Sequence, residues 1–280
     1  MRPQVRIETI TPKSAMRYLE KNTINRKMQP THCDVLRHEM ECGDWRLSND
    51  AICFSPDGVL LNGQHRLNAI VQSGMSSSYI VLDGMEKDTI DILDTTLRAR
   101  SPADIFAMRG EINTKALVTA LHYVNAFLPD GKFNDGRRSA RISQPDYDRL
   151  LKALPEVRDW VHFANTLKFS PAPKSHIATM GILFSRSKEI TYTPEDFFHK
   201  YGTGNDLSIG NPILTLRNHQ INERAQDKFI DRKRSFWMMT KAWNAIQSGK
   251  SMKVMRIGAT EKFPLINNLE LDVSLENINL

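Results

Sequence analysis

The apolar positions of this chain change rhythm near residue 110. From Val5 to Ile10 the pattern is that of a short strand with a β-branched bias. Thr11-Pro12 then supplies an N-cap and a proline at the first helical position. The helix that follows, running to about Lys21, is expected to place Ala15, Met16 and Leu19 on one side. After a polar connection at 22–26, a second helix starts near Pro30-Thr31, turns Val35, Leu36 and Met40 inward, and stops at Gly43. Trp45 is expected to pack on that helix end. Ala51-Ile52-Cys53-Phe54 and Val59-Leu60-Leu61 flank Ser55-Pro56-Asp57-Gly58, a hairpin whose Asp-Gly pair tolerates positive φ. A helix from Gln64 to about Gln72 buries Leu67, Ile70 and Val71 and ends at Ser73-Gly74; Tyr79–Leu82 is a strand, and 88–92 a short helix or turn. Beyond Gly110 helical periodicity takes over, at 113–128, 144–154, 156–167, 174–188, 194–201, 212–226 and 228–248. The residues from Ile266 onward are polar and read as a loose tail.

The pattern divides the chain into residues 1–110, a mixed unit, residues 111–265, a helical one, and a tail at 266–280. The fold class is α+β with a small mixed sheet, followed by an all-α domain. No apolar run approaches the roughly 18 residues of a membrane span, and the first residues lack an apolar signal-peptide core, so a cytoplasmic protein without a membrane partner is expected. Cys33, Cys42 and Cys53 form no CxxC pair and read as structural thiols of a reducing compartment. The scattered histidines show no metal-ligand spacing, and no zinc site is indicated.

The net charge of +6 is unevenly spread. Residues 1–110 hold 14 Lys+Arg and 14 Asp+Glu, whereas 217–256 hold ten Lys+Arg against three Asp+Glu. Such a stretch reads either as a polyanion-binding surface or as a solvated helix face. Within it Arg232-Lys233-Arg234 are candidate DNA contacts, as are Arg98 and Arg100 upstream. Phe236, Met239, Trp243 and Ile246 recur at three- and four-residue intervals, the spacing of a buried stripe, and are read as core.

The candidate chemistry lies in Leu61-Asn62-Gly63-Gln64-His65-Arg66-Leu67: a strand, a glycine turn and a helix start. Helix starts present amide N–H groups and partial positive charge, which favour an anion. Gly63 admits close backbone approach, Arg66 can fork onto a phosphate, and His65 can donate, accept or shuttle a proton. On residue types alone, a capped hairpin–helix junction with an incidental His-Arg pair remains the other reading. Asp94 could orient Arg66 or His65, hold Mg²⁺, act as a base, or cap a turn through Thr95-Thr96.

Gly58-x-x-x-Asn62-Gly63-Gln64-His65-Arg66-Leu67-x-Ala69 resembles the signature of the ParB/sulfiredoxin-like superfamily, over roughly residues 5–110. Its form is similar to the Asp-Gly-Gln-His-Arg motif of DNA phosphorothioation repressors and of many phage and prophage proteins, with Asn62 in place of the aspartate. Asn22-x-x-Asn25-Arg26, Gly43-x-Trp45 and the block from Asp94 to Asp104 follow the same order. The resemblance implies a nucleoside triphosphate, CTP or ATP with Mg²⁺, held by Asn25, Arg26, Asn62, Gly63, Gln64, His65 and Arg66, with His65 and Asp94 as catalytic groups. Members of the superfamily clamp DNA with CTP, reduce an oxidised cysteine with ATP, or phosphorylate free serine. The expected function is a nucleotide-dependent switch of phage or mobile-element type that contacts DNA, with a homodimer as a further expectation. The alternatives are a kinase acting on a modified base or a small metabolite, and a DNA-binding regulator without nucleotide.

Overall fold

Seven residues of alternating polar and β-branched character, Gln4–Ile10, form β1, and Thr11 ends it by capping the next helix. In the computed structural model, which describes residues 2–25, 27–88, 100–128, 131–134, 142–226, 231–258 and 260–270, helix α1 (Pro12–Leu19) starts with a reciprocal capping box between Thr11 and Ser14. Helix α2 (Pro30–Glu41) follows, then β2 (Ile52–Phe54), β3 (Leu60–Asn62), α3 (Gln64–Ser73) and β4 (Ser77–Asp83). The four strands make one mixed sheet in the order β1-β4-β2-β3. β1 and β4 are antiparallel, β2 and β3 antiparallel with a register irregularity at Cys53/Phe54, and β2 and β4 parallel. The parallel pairing is what the connection through α3 permits, since parallel neighbours need a crossover.

The chain separates into two compact units, residues 1–99 and 100–279. In the first, one sheet face packs Ile10, Ile52, Phe54, Leu60, Tyr79 and Val81 against Ala15, Met40, Leu67, Ala69 and Ile70 of the helices. Met16 was expected on this face and is instead half exposed. Tyr18 takes the position, its ring centroid 5.0 Å from that of Phe54 and its hydroxyl donating to Glu8. Trp45 packs against the cluster that contains Met40 near the end of α2, and its ring lies on Tyr79 of β4 with centroids 5.1 Å apart. Cys33 and Cys53 are buried, and burial pushes both thiols above their ordinary range, away from nucleophilic use.

The second unit consists of helices α4 (Pro102–Met108), α5 (Thr114–Asn125), α6 (Gln144–Ala153), α7 (Val157–Thr166), α8 (Lys174–Ser185), α9 (Pro194–Thr203), α10 (Pro212–Ala225) and α11 (Arg232–Gln247). Their starts are written into the sequence: Ser101, Ser143, Thr193, Asn211 and Asp231 each accept a backbone N–H of the following first turn. The core is aromatic. Phe184, Phe197, Phe198, Phe236 and Trp243 are all fully buried, as the stripe on α11 required. Close packing reaches the backbone of α8, where a Cβ added at Gly181 would lie 2.2 Å from Trp160. The expected loose tail is in part docked: Ile266 is buried, Lys188 N donates to Asn268 O, and Glu270 N to Arg186 O. Residues 271–280 lie outside the described residues. Among the described residues no helix is long and apolar enough to cross a membrane.

Candidate functional site

Two helix starts meet beside β3. Gly63, the N-cap of α3, adopts φ 109°, ψ 4°, a left-handed conformation that L side chains rarely take. A Cβ there would lie 2.4 Å from Ile52 Cδ1, so the turn is pressed against β2. Gly63 has no side chain with which to cap, and the first turn of α3 contains no acidic residue. Helix α2 begins in the same way: Gln29 makes no side-chain cap and its first turn holds no carboxylate. A bond from Gln29 N to His65 Nε2 at 3.0 Å ties the two starts together. As an acceptor Nε2 carries no proton, which leaves the proton of this imidazole on Nδ1. The His32 ring, in the first turn of α2, has its centroid 5.3 Å from that of His65.

A chain of carboxamides lines the junction. Asn25 Nδ2 donates to Leu60 O and to Asn22 Oδ1, both at 2.7 Å, and Asn22 Nδ2 donates to Gln64 Oε1 at 3.0 Å. The end of α1 is brought here by Leu60 N donating to Lys21 O at 3.0 Å, which fixes the polar 22–25 segment against β3. Gln64 and His65 are both buried, so these amide bonds are made away from bulk water and hold the turn rigidly.

Arg66 points along β2. Its guanidinium donates to Asp50 O, to Ala51 O at 3.1 Å and to Asn62 Oδ1 at 3.3 Å, latching the entry of β2 to the first turn of α3. Of the residues singled out in the sequence, Asn25, Asn62, Gly63, Gln64, His65 and Arg66 therefore come together around one helix start. Arg26, Asp94 and Arg98 lie outside the described residues. Two contributors carried no role in the sequence reading: Asn22, legible only as the partner of Asn25 three residues on, and the backbone of Gln29, which Pro30 marks as an N-cap.

The basic candidates lie in the helical unit. Arg100 is exposed just before α4, and Arg232, Lys233 and Arg234 form the first turn of α11. Arg234 donates to Glu223 Oε1 from Nε at 3.2 Å and from a terminal nitrogen at 2.8 Å. Deeper in this unit His176 Nδ1 lies 3.0 Å from Ser235 Oγ, which also receives Gln220 Nε2 at 3.4 Å. Burial pushes His176 down to about 4, so it is neutral at pH 7 and serves as a core hydrogen-bonding group. Among the described residues no three His, Cys, Asp or Glu side chains are grouped to hold a metal ion.

No family model matches the chain, and comparisons with curated proteins and with solved structures likewise find no match.

Proposed function

We propose that the first unit is a ParB/sulfiredoxin-like nucleotide-binding module and that the basic helical unit contacts DNA, the whole acting as a nucleotide-dependent switch. The observation that carries this reading is the meeting of the α2 and α3 starts, joined by the Gln29–His65 bond and lacking any first-turn carboxylate. Two helix starts at one place add their partial positive charges, and a polyphosphate is the ligand such a place stabilises best. Gly63 lets the phosphates approach the backbone, and the Asn22–Asn25–Gln64 chain supplies a rigid neutral wall. Arg66 acts in this reading as a positioning residue, holding β2 to the turn, while its charge adds to the positive potential. His65 likewise positions, by joining the two starts. Mg²⁺ would arrive with the triphosphate, as the described residues group no ligands for it.

The DNA half of the reading is supported by the first turn of α11. Arg232, Lys233 and Arg234 stand there at the positive end of the helix dipole, a placement that does not favour the helix; Arg234 is paired with Glu223, and the remaining local excess of positive charge suits a polyanion. Titration of labelled CTP, ATP and GTP against the full chain with Mg²⁺ is expected to give saturable binding of at least one of them. Folded protein that binds none would overturn the reading.

A further inference from the structure

The helical unit contains a cleft of about 270 Å³ between α10 and the extended segment that follows α11. Its walls are fixed: Met252 N donates to Gly210 O at 2.7 Å, and Thr215 Oγ1 to Met252 O at 2.5 Å. Leu214, Asn218 and Asn222 recur every four residues on α10 and form one stripe along the cleft. Both asparagines are exposed, offering a donor and an acceptor each. Across from them stand Lys253, exposed, and Val254, an apolar side chain left 57 % exposed at the rim. His219 shares the lining; its Nε2 is buried 3.3 Å from Glu223 Oε1 without a hydrogen bond.

We infer that this cleft receives an unpaired base of a single-stranded nucleic acid. The inference rests on the reading of the helical unit as a nucleic-acid-binding part, and names the form of nucleic acid that it takes. The volume lies just below the roughly 300–1,000 Å³ of sites for drug-sized ligands, which suits one nucleotide and leaves no room for a duplex. Carboxamides match the donor–acceptor edge of a base, an edge that is accessible only when the base is unpaired. Leu214 and Val254 supply apolar surface for the ring, and Lys253 supplies a cation for the adjoining phosphate. The cleft also lies within the part of the chain that carries the whole positive excess, residues 217–256 included.

Anisotropy of short labelled oligothymidylate and oligoadenylate, their duplex, and free mononucleotides as competitors tests this on the full chain. Single strands are expected to bind about tenfold more tightly than the duplex. The double substitution Asn218→Ala with Asn222→Ala is expected to remove that preference without changing Tm or duplex binding, since both side chains are exposed. Lys253→Ala is expected to lower the salt slope between about 50 and 200 mM by about one. Equal binding of strand and duplex, an unaltered preference in the double variant, or capture of free mononucleotide alone would each overturn the inference. The first two of these leave the broader DNA reading standing, whereas wild type that binds neither strand nor duplex removes both.

Discussion

Trp243→Ala is expected to destabilise the helical unit by about 3–5 kcal/mol, the largest stability loss of any single substitution considered. Trp243 is fully buried, stacks on Phe184 at 4.2 Å with planes 4° apart, and meets Phe197 edge-on at 5.6 Å. Alanine would leave a cavity at the point where α8, α9 and α11 converge, and the surrounding rings, locked edge-to-face, cannot all collapse into it. A domain is stable by only about 5–15 kcal/mol, so the loss is a large share of the total. Trp243→Phe is expected to cost much less, because the Trp243 Nε1 is a buried donor with no partner among the described residues, and phenylalanine removes it while keeping a ring. Urea denaturation followed by far-UV circular dichroism measures both. Equal stabilities of the two variants would contradict this account of the core.

Gly63→Ala is the substitution expected to act most strongly on nucleotide binding. At φ 109° alanine is strained, and its Cβ would meet Ile52 Cδ1 at 2.4 Å. The backbone strain shifts the turn and the clash displaces the Ile52 side chain, together at a cost of about 1–3 kcal/mol in stability. The same shift displaces the first amides of α3 and the Gln64 and His65 side chains that they carry, so affinity for the bound triphosphate is expected to fall at least about tenfold, which corresponds to about 1.4 kcal/mol. Ile52→Val separates the two causes. It deletes the clashing methyl at a cost of about 0.5–1.5 kcal/mol on its own, and in the Gly63→Ala background it should restore part of the stability and part of the binding. Backbone strain remains in the double variant, so full recovery is not expected. A Gly63→Ala protein with wild-type affinity would show that the turn does not hold the phosphates.

Much of the architecture could be read before any coordinates. Thr11-Pro12, Ser143 before Pro145, and Pro194 after Thr193 are local capping signals, and each starts a helix of the predicted stretch. The three- and four-residue recurrence of Phe236, Met239 and Trp243 likewise marked a buried stripe, with Ile246 half-buried at its end, because burial on one helix face is a local property of the sequence. What could not be read depends on contacts between distant segments. The parallel pairing of β2 with β4 has no local signature. Met16 faces water because Tyr18 had a ring partner in Phe54 and an acceptor in Glu8, both fixed by the sheet. Ile266 is buried because residues 266–270 meet the 186–188 segment, 80 or more positions earlier.

The candidate site divides along the same line. Gly63 was legible, since a glycine between strand and helix announces a left-handed turn. The direction of Arg66 was not: an arginine one turn into a helix can face a ligand or a neighbouring strand, and here the carbonyls of Asp50 and Ala51 decide. The junction of α2 with α3 was equally hidden, because it joins Gln29 to a histidine 36 residues later and packs Met40 in one cluster with Leu67 and Ile70, contacts with no local signature. The cleft beside α10 forms only when residues 251–255 return across that helix.

Hydrogen–deuterium exchange of the full chain, with and without saturating nucleoside triphosphate and Mg²⁺, reads the central claim at the backbone itself. Phosphates seated on the joined helix starts should slow exchange in peptides spanning 61–68 and 28–33, with the α3 peptide losing this protection in Gly63→Ala. Bound nucleotide that leaves both of these peptides unchanged, while protecting some other part of the chain, would contradict the claim.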